Sequence, residues 1–253
     1  MATYKKRGAK PKHTRTNIED NSTTAEVFNT LDQTASRSEQ WVIKNQKAIF
    51  MFLALVVAFI LGYMGYQKYI QGPKEKEAAN ELAFPKVYFE DASTNAVAAD
   101  SLYTLALNGA DGKYGFVDVA KEYSGTKAGN LANYYAGISY LRLKNYTEAI
   151  NYLDNFSSED ELLGAIAKGS IGDAFADLNQ PKDAFDYYME AAKLRNNNFT
   201  TPLYLFKAGN TAMELGRYSE AKDIFETIKN DHPNAPEATD IDIHITRATY
   251  AKN

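Results

Sequence analysis

The sequence predicts an all-α protein in which a single N-terminal transmembrane helix is followed by an α-solenoid of paired helices. Three observations carry this reading. Residues 48–67 run for 20 positions without a charge. In the second half, Gly, Ala and aromatic residues recur together at an interval of about 34 residues, the period of stacked helix pairs. Cysteine is absent and the 3 histidines are scattered. That composition leaves no disulfide framework, no thiolate nucleophile, no Cys-ligated metal and no lipidated N-terminal cysteine.

Charge divides the chain. Residues 1–47 hold 9 Lys/Arg and 5 Asp/Glu, whereas the remainder holds 19 and 27, within a net charge of −4. An acidic main body disfavours nucleic-acid binding, because phosphate neutralisation needs the opposite sign. The basic tail can touch anionic lipid or, weakly, ribosomal RNA; its simpler role is to set membrane topology.

Residues 1–47 form the cytoplasmic tail. Residues 1–22 have almost nothing apolar to bury and are expected to be disordered. Thr23-x-x-Glu26 is a capping box. It opens a short helix with Val27, Phe28, Leu31 and Ala35 on one side, suited to a membrane surface or a partner.

The transmembrane helix follows at 48–67. At about 1.5 Å per residue it matches the ~30 Å hydrocarbon layer. Ten strongly apolar residues, among them Phe50, Leu53, Val57 and Leu61, together favour insertion by about 3–6 kcal/mol, with no charge opposing them. Trp41, Lys44 and Lys47 flank one end and Tyr63, Tyr66, Lys68 and Tyr69 the other, as the two interfaces require. A cleaved signal peptide fits poorly, since 47 residues precede the span and tyrosines stand where small residues should precede a cleavage site. Charges close to the span balance, so orientation rests on Lys5, Lys6, Arg7, Lys10, Lys12 and Arg15, which hold the short N-terminal tail in the cytoplasm. The large domain is then outside. Ala54, Ala58 and Gly62 recur every four residues and offer a close-packing stripe to another membrane helix.

Residues 73–128 read as a helical lead-in with a degenerate repeat. Gly72-Pro73 is expected to break the membrane helix, and Lys74 to Phe84 to restart it until Pro85 interrupts. Helical spacing is expected to hold through 86–107, followed by a loop at 108–112 and a short helix at 116–123.

The region 129–253 contains the repeats. Gly137, Tyr140, Tyr146, Ala149 and Leu153 recur as Gly172, Phe175, Pro181, Ala184 and Tyr188. They recur again as Gly209, Ala212, Tyr218, Ala221 and Phe225, with Pro233 beyond. Gly and Ala let two helices touch, aromatics fill the space beside them, and proline ends the second helix. Residues 237–252 are expected to form a closing helix with Ala238, Ile241, Ile245 and Ala248 inward, although 240–246 alternates as a strand would.

These positions resemble the tetratricopeptide repeat family. The resemblance implies that the first helix of each pair lines a protein-binding groove. Leu131, Tyr134, Ile138, Leu141 and Arg142 would face it from the first repeat. Ile166, Gly169, Asp173, Ala176 and Asp177 would do so from the second, and Leu203, Phe206, Asn210, Met213 and Glu214 from the third. Members that clamp a terminal carboxylate use Lys and Asn there, and here only Asn210 matches. Apolar patches separated by Asp173 and Asp177 would suit an amphipathic or unfolded peptide and select against acidic partners. The competing expectation is that the helices of 74–107 fill the groove. Most of the 18 tyrosines fall at repeat packing positions rather than on a stacking platform for sugars or bases.

The whole layout, including Gly62-Tyr63-Met64-Gly65-Tyr66 and the run Ala128-Gly129-Asn130-Leu131-Ala132-Asn133-Tyr134-Tyr135-Ala136-Gly137, resembles the ancillary SecYEG translocon subunit family of bacterial inner membranes. It implies a noncatalytic, single-pass inner-membrane protein with a periplasmic C-terminal domain. Its partners would be SecYEG subunits and either periplasmic chaperones or nascent exported chains. A membrane-tethered scaffold for another envelope or secretion complex is the alternative. No cofactor, metal site or catalytic residue is expected.

Overall fold

A computed structural model describes the backbone of residues 23–158, 160 and 162–251, and the side chains of Val27 and of those residues from 39 onward. The basic tail and the side chains of Phe28, Leu31 and Ala35 lie outside the described residues. The chain divides into two compact units, residues 1–65 and 66–253. The described residues are mostly helical, with no strand among them.

In the first unit the chain runs in helix α1, Thr23–Tyr66. Its apolar stretch is exposed throughout, with Phe50 at 60%, Phe52 at 66% and Phe59 at 78% of their accessible surface. Bare apolar surface of this length is unfavourable in water and favourable in lipid. This is the one described helix run long and apolar enough to cross a membrane. Ala54, Ala58 and Gly62 are all exposed on it.

The second unit begins with a π-helical turn, Gln67–Gln71, leading into α2, Gly72–Thr94. Gly72-Pro73 therefore does not break the helix. The Gly72 N–H bonds Gln67 O, widening one turn, and Pro73 sits in the first turn of α2, where its missing donor costs least. Pro85 does not interrupt it either: it lies inside α2, fully buried, and the helix continues nine residues beyond it. The break falls instead at residues 95–98, before α3 at Ala99–Asn108. There Asn95 Oδ1 accepts the Ala98 N–H at 3.3 Å and Val97 is fully exposed.

Helix α4, Phe116–Glu122, follows the predicted loop. Helices α2 to α4 then share one core with α5, Lys127–Arg142. Phe89 meets Tyr135 edge-on at 5.0 Å, and Phe116 stacks on the same ring at 5.2 Å. The lead-in thus packs on the first repeat as a preceding layer. The N-terminus of α5 is doubly capped: Thr126 Oγ1 accepts the Gly129 N–H at 2.9 Å, and Glu75 Oε2 accepts the Lys127 N–H at 3.0 Å.

Three helix pairs complete the stack. Helix α5 pairs with α6, Tyr146–Asp154. Helix α7, Leu163–Asp177, pairs with α8, Pro181–Leu194. Helix α9, Thr200–Glu214, pairs with α10, Tyr218–Asp231. Within each pair a glycine of the first helix admits a large side chain of the second. A Cβ on Gly137 would sit 2.5 Å from Leu153 Cγ, one on Gly172 2.6 Å from Tyr188 Cε1, and one on Gly209 2.5 Å from Phe225 Cε1. These are the residues whose recurrence predicted the pairing.

The chain closes with α11, Ile241–Tyr250, after a 3-10 turn at Pro236–Ala238. The alternating pattern is therefore helical from Ile241 on, with Asp240 as the residue before the helix; Ile241 and Ala248 are buried in the last core, with Ala238 and Ile245 packed against it.

Candidate functional site

The first helices of successive pairs adjoin, α5 beside α7 and α7 beside α9. They carry the fifteen groove candidates, whose placements differ. Leu141, Arg142, Asp173, Ala176 and Asp177 come together at the C-terminal ends of α5 and α7 and line a cleft of about 380 Å³. Asn210 and Glu214 are exposed on α9. Leu131 packs against the core shared with α2 to α4, and Tyr134 and Ile138 against the core between α6 and α7. Ile166 is half-buried on α7. Leu203, Phe206 and Met213 pack on the C-terminal core, where the Phe206 ring meets His244 of α11 at 4.9 Å.

Gly169 has a different duty from its predicted one. It is buried, and a Cβ there would lie 1.9 Å from Tyr204 Cε1. The missing side chain is the space into which α9 inserts its tyrosine.

Asp173 is likewise occupied. Lys207 Nζ donates to its two oxygens at 2.7 and 2.9 Å, and the Tyr188 hydroxyl donates to Oδ1 at 2.7 Å. The ammonium also lies 5.5 Å from the Tyr188 ring centroid and 5.7 Å from that of Tyr204. Burial, followed by the Asp173 charge, pushes both phenols far above their usual range. Tyr188 therefore stays a hydrogen-bond donor at any physiological pH.

Asp177 stands beside Tyr146, whose phenol is raised first by desolvation and then by its hydrogen bond to that carboxylate. Of the two acids expected to repel acidic partners, Asp173 is thus paired with Lys207, whereas Asp177 is exposed and bonded only to a neutral phenol. Arg142 and Lys144, which also line the cleft, have no ion-pair partner among the described residues. Arg142, Lys144 and Lys207 against Asp173 and Asp177 leave the cleft with a net positive charge.

Sequence reasoning missed Lys207 and Lys144 and gave Tyr146 only as a repeat position. Lys207 had a usable signal, since it lies 34 residues after Asp173, so the repeat interval places the two on neighbouring first helices. Lys144 had none. It occupies a turn at φ +60°, a conformation that its side chain does not favour.

No group of three or more His, Asp or Glu side chains suited to a metal ion occurs among the described residues. His232 is buried beside Asn198, with 3.1 Å between Nδ1 and Oδ1, and His244 is a packing residue.

Comparison with known families agrees with this architecture. Residues 131–160 and 204–235 match a tetratricopeptide repeat family, and residues 166–198 match a second one of the same description. These segments fall on the three helix pairs, each beginning within the first helix. No curated protein sequence matches the chain. The C-terminal part of the chain is built of tetratricopeptide repeats, a scaffold for protein–protein contact.

Proposed function

We propose that this chain is a noncatalytic, membrane-tethered accessory subunit of the Sec protein-export translocon. The observation that carries the binding role is the cleft at the C-terminal ends of α5 and α7, bordered by Lys207 of α9, with an apolar edge at Leu141 and Ala176 and free cations at Arg142 and Lys144. Such a surface favours a polypeptide with apolar and acidic character. The apolar face of α1 supports the tether. The translocon assignment rests on the sequence resemblance and the predicted topology, with the repeats in the periplasm near emerging chains and their chaperones.

Purification of the full chain from membranes in mild detergent tests the assignment. SecYEG subunits in stoichiometric amount are expected. Recovery of one unrelated envelope complex in their place overturns it in favour of a scaffold for that complex. Replacing Arg142 and Lys144 together by Glu should release the partner while leaving the chain in the membrane.

A further inference from the structure

A second cleft lies on the opposite helices of the last two pairs, between α8 and α10, and the repeat pattern gave no reason to expect it. Its volume is about 520 Å³ and its floor is apolar, formed by Met189, Leu205 and Ile224. Its rim is acidic, with Glu220, Asp223 and Asp231 against a single cation, Lys193. Glu220 is drawn to Arg217 at 3.6 Å. Asp223 and Asp231 have no ion-pair partner among the described residues, and both are exposed.

The two free carboxylates are placed in register. Asp223, Thr227 and Asp231 occupy i, i+4 and i+8 of α10, which puts them in one row with about 6 Å of rise per step. His232 closes the end of the row. Its Nδ1 lies 3.1 Å from Asn198 Oδ1. An apolar floor bordered by two unpaired carboxylates matches one chemistry: a helix with an apolar face and basic residues about two turns apart.

We propose that this cleft docks a basic amphipathic helix of a partner protein. Arg or Lys side chains would be received by Asp223 and Asp231, and apolar side chains would lie over Met189, Leu205 and Ile224. This site is separate in position and opposite in available charge from the cleft at Arg142 and Lys144. One chain can therefore hold two different partners at once.

The test uses the full chain in detergent and a fluorescent 16-residue helical peptide with a leucine face flanked by arginines two turns apart. Anisotropy titrations should show binding that weakens about tenfold or more in the Asp223→Asn/Asp231→Asn variant and is unaffected by Arg142→Ala. The same peptide with Glu for Arg should not bind. Because the native chain lacks cysteine, Thr227→Cys should capture a cysteine-bearing peptide as a disulfide, and Asn210→Cys on the other face should not. Equal binding by native chain and double variant, which would mean that the peptide merely partitions into detergent, overturns the proposal. So does equal capture at both cysteines.

Discussion

At the scale of single residues, the stack is specified by where side chains are missing and where the backbone turns left. Gly169 illustrates the first. Its added Cβ would enter the ring of Tyr204, which is 4% exposed and has little room to swing. Gly169→Ala should therefore destabilise the repeats, because overpacking of about 1–3 kcal/mol outweighs the ~1 kcal/mol that Ala gains over Gly in a helix. Thermal unfolding followed by circular dichroism reads the difference directly. The turns illustrate the second. Lys144, Asn179 and Gly216 occupy the same turn position at φ +60°, +57° and +72°. In all three turns the next residue's N–H reaches back five positions, as from Asn145 to Tyr140 O at 2.9 Å, Gln180 to Phe175 O at 2.9 Å and Arg217 to Ala212 O at 2.8 Å. Nothing lies within 4 Å of a Cβ on Gly216, so Gly216→Ala carries only the backbone cost, about 1–2 kcal/mol. Lys144→Gly should move stability the other way by up to about 1 kcal/mol. Opposite signs at equivalent positions are the diagnostic result; equal signs would mean that the three turns are not equivalent.

At the scale of elements, the helix pairs were legible in the sequence and the lead-in was only partly so. Gly137, Gly172 and Gly209 had to meet something large across the pair, and Leu153, Tyr188 and Phe225 stood at matching distances, so the pairing followed from one interval. Pro85 gave the opposite lesson. Its local chemistry argues for a break, but the helix around it is held by burial of Ala78, Leu82 and Ala92 on the same element. Tertiary packing therefore overrides the propensity. The groove was half legible for a related reason: repeat position says which way a residue faces and nothing of what the next helix places over it, as Phe206 under His244 shows. One element boundary is set by charge. Asp160 Oδ1 accepts the N–H groups of Leu162 and Leu163 at 2.8 and 2.9 Å where α7 begins. The Leu163 bond and then the Leu162 bond hold its carboxyl below the usual range, against a weaker opposing effect of desolvation. A carboxyl whose folded pKa is depressed contributes stability above its unfolded pKa of about 3.9, and that contribution disappears as pH falls through the folded value. Asp160→Ala should thus lower the melting temperature at pH 7, and the gap from the native chain should close as pH drops below about 3.9. A gap that persists undiminished in acid would assign the effect to packing instead of the charge.

For the whole molecule, the decisive physical question is on which side of the membrane the repeats stand, because the periplasmic partners proposed above depend on it. The balance of charges beside the span is even, and the six cations between Lys5 and Arg15 are what make the N-terminus costly to translocate. The acidic body, by contrast, is long enough that its charge matters little to its passage. The absence of cysteine turns this into a clean measurement, since one introduced thiol is the only site a maleimide can label. Val97 is the natural choice for the repeat side: it is fully exposed, in the turn between α2 and α3, and touches no core. In intact spheroplasts Val97→Cys should react with a membrane-impermeant maleimide, whereas Lys10→Cys should react only after lysis. The reverse pattern would put the repeats in the cytosol. It would remove periplasmic chaperones and emerging exported chains from the set of partners while leaving both clefts intact.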